Sequence, residues 1–194
     1  LNADFPGGLE FARLRPLGRN LVACGDKRFY EGGVVFADPA FLRMFDFPLI
    51  EGDPATALAG PDSWVITEST ARKYFGSENP MGRTLRFLDA FDFRITGVAR
   101  DVPRNSHLQF GILGNFQFVI QSLGFGRGWW NNDFYTYVRL APNADLAKLS
   151  PAVFSYLTKV SPQTKVFVRL QPLRDLHLRS SYAIDLYGAS QVSA

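Results

Sequence analysis

Thr67-Glu68-Ser69-Thr70-Ala71-Arg72-Lys73-Tyr74-Phe75-Gly76, then Asn79-Pro80-Met81-Gly82-Arg83-Thr84-Leu85, then Thr96-Gly97-Val98, then Asp101-Val102-Pro103-Arg104-Asn105-Ser106-His107: these segments, all within residues 67–110, decide the fold. An apolar strand, Trp64-Val65-Ile66, runs into them. Thr67 is placed to cap a helix over residues 68–75, because its hydroxyl can accept one of the free amides of the first turn. Glu68 in that turn, Arg72 and Lys73 in the last, and Gly76 beyond it agree with the dipole and with a left-handed C-cap. Residues 84–88 and 93–99 alternate apolar and polar around Asp89-Ala90-Phe91-Asp92. They read as a hairpin with Leu85, Phe87, Phe93 and Ile95 on its buried face.

Toward the N-terminus, short apolar runs at residues 9–14, 21–24 and 33–36 alternate with turn residues and read as strands. Residues 16–20 and Gly25-Asp26-Lys27 are the loops between them. Asp38-Pro39 predicts a helix start, with Asp38 as cap and Pro39 at the first helical position. Phe41 and Phe45 would share its buried side, and residues 47–50 return as a strand. Toward the C-terminus, residues 108–113 read as extended and 116–123 as a short apolar helix. A glycine-rich bend at 124–128 precedes Trp129-Trp130. Strands over 134–140 and 165–170 flank a helix over 151–160, with Ser150 as its N-cap and Pro151 as its first residue.

The chain has 194 residues, 46% hydrophobic and 20% charged, which is a globular and not a disordered composition. Its formal charge of +3 comes from 21 Lys and Arg against 18 Asp and Glu scattered along the sequence, which argues against a nucleic-acid binder. Cys24 is the single cysteine, so no intrachain disulfide and no thiolate cluster can form. It lies in an apolar run and reads as a small buried hydrophobe. No stretch reaches the roughly 18 apolar residues of a membrane helix. The chain lacks an initiator Met and reads as an excised piece of something longer.

Candidate chemistry is sparse. Ser106 and His107 are adjacent, but chain neighbours seldom face each other as nucleophile and base, and the flanking glycines of a nucleophile elbow are missing. Asn105 and Ser106 read instead as local backbone caps. His107 and His177 are the only histidines, without metal-ligand spacing. The glycines at 124, 126 and 128 are followed by tryptophans and not by a phosphate-binding helix, and no Walker-type Lys-Ser/Thr motif exists. No catalytic, cofactor or metal site is therefore expected. Phe91 at the hairpin tip and Phe125 in the glycine bend are apolar where loops usually expose polar groups. With Trp129 and Trp130 they are the candidate contact residues for a partner or substrate.

The 67–110 motifs, together with Val35-Phe36-Ala37-Asp38-Pro39-Ala40-Phe41, Phe45-Asp46-Phe47-Pro48-Leu49-Ile50-Glu51-Gly52-Asp53 and the segment around His177, closely resemble the MacB-like periplasmic core domain. That module is the extracytoplasmic part of FtsX/MacB-type ABC-transporter permeases. The resemblance implies an α+β fold of two lobes. A discontinuous porter-like subdomain of strand-helix-strand units spans 1–53 and 129–180, a mixed α/β Sabre-like subdomain is inserted at 54–128, and a tail at 181–194 leads toward a second membrane helix. It further implies a non-enzymatic domain on the periplasmic face of the bacterial inner membrane. Such a domain transmits ATP-driven conformational change and contacts substrate or partner proteins, in export, efflux or lipoprotein release. It holds no cofactor itself, since a separate ABC ATPase subunit uses the ATP. Further partners would be a second permease copy or homologue and a periplasmic adaptor or outer-membrane channel. The alternative is a free-standing periplasmic module that binds an amphiphile between its lobes.

Overall fold

The structure, a computed structural model, describes residues 10–125 and 134–142, together with positions 144, 149, 151, 155 and 170–173. Among the described residues, ten strands and three continuous helices follow in the order β1 (Glu10–Pro16), β2 (Asn20–Cys24), β3 (Lys27–Glu31), β4 (Val34–Ala37), α1 (Phe41–Met44), β5 (Leu49–Glu51), β6 (Ser63–Thr67), α2 (Glu68–Phe75), β7 (Thr84–Phe87), β8 (Phe91–Ala99), β9 (Ile112–Asn115), α3 (Phe116–Gln121) and β10 (Tyr135–Arg139). The architecture is mixed α+β, as the sequence implied.

All ten strands join one mixed sheet in the order β10-β1-β4-β9-β6-β8-β7-β2-β3, with β5 alongside the far end of β8. Strands from both sides of the boundary expected at residue 54 pair directly, β4 with β9 and β2 with β7. The sheet cannot be flat. β1 stands second and β2 eighth, six spacings apart or roughly 29 Å in a flat sheet. The four residue steps from Pro16 to Asn20 reach at most about 14 Å. The sheet therefore curls until β2 and β3 come back toward β1 and β4, and the Leu17 amide bonds to the Val34 carbonyl at 3.0 Å.

Two cores line the two faces. Inside the curl, Val22, Phe36, Trp64, Ile66, Phe87, Phe93 and Ile112 meet the buried sides of α2 and α3. On the other face, Leu14, Val35, Val65 and Leu113 pack with Phe41 and Leu42 of α1 and with Ala57 and Leu58. Strict alternation assigns the faces: Val34 and Phe36 go inward from β4 while Val35 and Ala37 go outward. Because β4, β6 and β9 are covered on both sides, every residue in them is buried and their centres are apolar without alternation, with polar Ser63, Thr67 and Asn115 at strand ends.

The local readings of residues 67–99 hold. Thr67 caps α2, accepting the Thr70 amide at 3.4 Å, and Gly76 ends it at φ +66°, donating to the Arg72 carbonyl at 2.9 Å. Leu85, Phe87, Phe93 and Ile95 are buried. Each stabilises by roughly 2 kcal/mol relative to exposure.

Several local expectations are corrected. Lys27 is not a loop residue but opens β3, an edge strand whose charged exterior hid its alternation. Asp38 does not cap α1, which has Ala40 at that position and no side-chain cap. Its carboxylate is taken instead by Arg13. The hairpin turn is Leu88-Asp89-Ala90, so Phe91 already belongs to β8. The strand expected at 108–113 begins at Ile112 and runs to Asn115, whose side chain caps α3 by accepting the Gln117 amide at 2.8 Å. Of the helix expected from residue 151 to 160 only positions 151 and 155 are described, both helical, and of the strand expected over 165–170 only residue 170 is described.

Candidate contact surfaces

The Asp101-Val102-Pro103-Arg104-Asn105-Ser106-His107 segment leads from β8 toward β9, and its first residue ties the end of β8 to the start of α2. Asp101 accepts the Ser69 amide at 2.9 Å and the Ser69 hydroxyl at 2.5 Å, and Arg72 lies 3.4 Å away. A carboxylate on a free first-turn amide is favoured by hydrogen bonding and by the helix dipole. Burial raises the Asp101 carboxyl, but the Ser69 hydroxyl and amide, Thr67 and Arg72 together outweigh it and hold its pKa below the ordinary value. A depressed folded value means a contribution complete above the unfolded carboxylate value, roughly pH 4, and lost as pH falls through the lower folded value. Denaturant titrations should show Asp101→Asn less stable than the parent at pH 7, with the gap closing toward pH 3.

Ser106 is bound to its own surroundings. Its hydroxyl donates to the Leu108 carbonyl at 3.1 Å and accepts the Leu108 amide at 3.2 Å. The His107 ring lies 5.9 Å from the Tyr137 ring. This places Ser106 as the backbone cap read from sequence. No group of three metal-ligating side chains occurs among the described residues. His177 lies outside them.

Of the four candidate contact residues, Phe91 and Phe125 are described and Trp129 and Trp130 are not. Phe91 is half-buried and meets the Phe118 ring edge-on at 4.9 Å. Phe125 is also half-buried, donates its amide to the Val119 carbonyl at 3.1 Å, and lies beneath the Arg15 guanidinium at 4.2 Å. Both therefore pack against α3 on the inner core, which brings them to the same side of the sheet.

Sequence reasoning missed three constellations. Arg13 and Arg15 alternate with Leu14 on β1 and turn toward α3, with Arg13 4.3 Å above the Phe116 ring. The period-two pattern carried that signal. Glu10 pairs with both Arg43, at 3.4 Å, and Arg139, and Arg139 donates to the Arg43 carbonyl at 3.1 Å. This clasp binds β1, β10 and α1 where β1 begins. At the opposite sheet edge, Glu31 accepts from Lys73 at 2.7 Å and from the Tyr74 hydroxyl at 2.8 Å. Burial, and then the Glu31 carboxylate, push the Tyr74 phenol well up, so it remains a donor. These last two sets span 129 and 42–43 residues of sequence, so no local pattern announces them.

The curled sheet with apolar packing on both faces is the frame that carries these side-chain clusters. The sequence profile of the MacB-like periplasmic core domain matches residues 10–153. The chain belongs to that family, and it is the periplasmic domain of a MacB/FtsX-like permease. The family is one of transporter permease domains and not an enzyme class. Among solved structures, a domain assigned to a permease protein from Porphyromonas gingivalis is similar at 28% identity and TM-score 0.68, covering 84% of this chain and 78% of that one. The extracellular domain of YknZ, a noncanonical ABC-type transporter from Gram-positive bacteria, gives 13% identity, TM-score 0.60 and coverages of 83% and 80%. The periplasmic region of MacB from Actinobacillus actinomycetemcomitans gives 15%, 0.58, and coverages of 77% and 66%. No curated protein sequence matches the chain.

Proposed function

We propose that the domain relays ATP-driven motion of the permease across the membrane and contacts substrate or partner proteins, in efflux or lipoprotein release. The observation that supports this most is the Glu10–Arg43–Arg139 clasp. It ties the start of β1 to the antiparallel neighbour β10, in which Arg139 stands opposite Glu10, and to α1. A pull at that end is delivered to a hydrogen-bonded sheet with core on both faces, which moves as a rigid lobe. In this reading the chain lies between two membrane helices on the periplasmic face of the inner membrane. A separate ABC ATPase supplies the energy and a second permease copy or homologue completes the transporter. An adaptor or outer-membrane channel is the further partner, and Phe91, Phe125, Trp129 and Trp130 contribute to the contact. The porter-like segments at 1–53 and 129–180 and the Sabre-like insert at 54–128 are the proposed working units.

The test uses the full-length permease with its ATPase in proteoliposomes, spin-labelled at exposed Arg104 in each copy. ATP should change the interlabel distance in the parent. The Glu10→Ala/Arg139→Ala variant should keep ATP turnover and lose the distance change, although its exposed pairs contribute no more than about 1 kcal/mol to stability. An ATP-insensitive distance in the parent would refute the relay. For the isolated domain we expect a monomer or weak dimer by sedimentation velocity, because the membrane part and the ATPase would supply most of the association energy.

A further inference from the structure

We propose that the outer face of β7, β2 and β3 is a docking surface for an acidic partner protein, anchored by Leu88 and Tyr30. The hairpin tip places Leu88 at φ +55° and Asp89 at φ +56°. A left-handed aspartate is common, whereas a left-handed leucine is unfavourable. The fold gains little from that side chain, which is 40% exposed and joins neither core. An unfavourable backbone that presents an apolar group to solvent points to use outside the chain.

The sheet register supplies the second observation. The Leu88 amide bonds to the Leu21 carbonyl at 3.0 Å, and Leu21 stands opposite Tyr30. Their neighbours Val22 and Phe29 belong to the inner core, so alternation along β2 and β3 puts Leu21 and Tyr30 on the outside, with Leu88 at the hairpin tip beside Leu21. Tyr30 is 64% exposed, the largest value among the exposed apolar side chains described. Tyrosine and arginine are the residues most enriched at binding hot spots, and the Arg19 guanidinium stands 5.9 Å from the Tyr30 ring.

Charge selects the partner. By the same register, Arg28, Arg86 and Arg94 share this face, and Arg19 borders it. Asp89 pairs with Arg28 and Asp92 with Arg86, while Arg19 and Arg94 enter no ion pair among the described residues. The face is therefore basic around an apolar row. A second copy of this chain would bring the same arginines against it, which disfavours self-association there. Arg19 follows the end of β1 opposite Glu10. On the relay reading above, that end points away from the membrane, which disfavours lipid as the occupant. The basic apolar row itself does not depend on that reading.

The experiment places benzoylphenylalanine at position 30 of the full-length permease and irradiates cells of the native host. A protein adduct, identified by mass spectrometry, is then purified and titrated against the 194-residue chain at low and high salt. We expect at least tenfold weaker binding for Leu88→Gly and Tyr30→Ala, and loss of salt dependence for Arg19→Glu/Arg94→Glu. Glycine accepts positive φ at no steric cost, so Leu88→Gly should melt at the parent temperature or higher while binding worse. A merely structural leucine would not separate the two. Adducts only to lipid or to a second copy, no adduct at all, or unchanged affinity in Leu88→Gly and Tyr30→Ala would overturn the proposal. None of these bears on the ATP-driven distance change, which tests the relay separately.

Discussion

Gly114→Ala is expected to destabilise the domain by about 3 kcal/mol, at the upper end for overpacking a core, and in the simplest assay to abolish soluble expression at 37 °C. Gly114 lies in β9 between β4 and β6, where it stands opposite Phe36 and Trp64. A methyl group there would sit 2.5 Å from Phe36 Cε1, 2.7 Å from Phe36 Cδ1 and 2.8 Å from Trp64 Nε1. Neither ring can retreat. Phe36 is stacked on Phe118 at 5.1 Å with Phe87 and Phe93 about it, and Trp64 is stacked on Phe93 at 4.3 Å. The check is urea denaturation of the parent, Gly114→Ala, Phe36→Leu and the double variant. If the clash is the cause, Phe36→Leu makes room and the double variant loses clearly less than the sum of the two single losses. Additive losses would mean that the alanine acts elsewhere.

That prediction also marks where the sequence stops being readable. Helix α2 and the β7–β8 hairpin were legible because their signals are local: a capping threonine, a terminal glycine, alternation across a short turn. Gly114 carries no such sign, since its meaning comes from two rings donated by strands 78 and 50 residues away in sequence (114 − 36 and 114 − 64). Edge strand β3 was lost for a different reason. Lys27, Arg28 and Glu31 give it a loop-like composition, which is how an edge resists further pairing. The contact surfaces were the least legible. Dispersed arginines looked patternless along the chain, and only the pairing of β2 with β7 gathers them on one face. The charged Asp89 and Asp92 make the turn look four residues long with Phe91 near its tip, whereas the positive φ of Leu88 and Asp89 tightens the reversal to three residues.

Asp38→Ala carries the second large effect, an expected loss of about 2 kcal/mol and more if Arg13 is left without water. The Asp-Pro pair at 38–39 looks like a helix start, and by propensity alone it is a good one. Tertiary demand overrides it. β1 lies antiparallel to β4, with Leu14 opposite Ala37, so Asp38 arrives beside Arg13. Its carboxylate then accepts three bonds at 2.8 Å, from the Arg13 amide, Nε and Nη2, in a fork of matched geometry. Those side chains are 15% and 30% exposed, so the pair is partly desolvated and a partner left alone is costly. The same guanidinium covers the Phe116 ring, which couples this clasp between β1 and β4 to α3 on the inner core. Removing the acid should therefore loosen more than one strand. Hydrogen exchange of Asp38→Ala should show faster exchange in β1 and α3 together, with α2 and the β7–β8 hairpin protected as in the parent. Asp38→Asn retains an acceptor and should recover part of the loss. Arg13→Ala in the Asp38→Ala background should cost little further, because the bond it would break is already gone. A full additional loss in that double variant would show that Arg13 is held by Phe116 and Phe134 alone, and that the aspartate contributes independently of it.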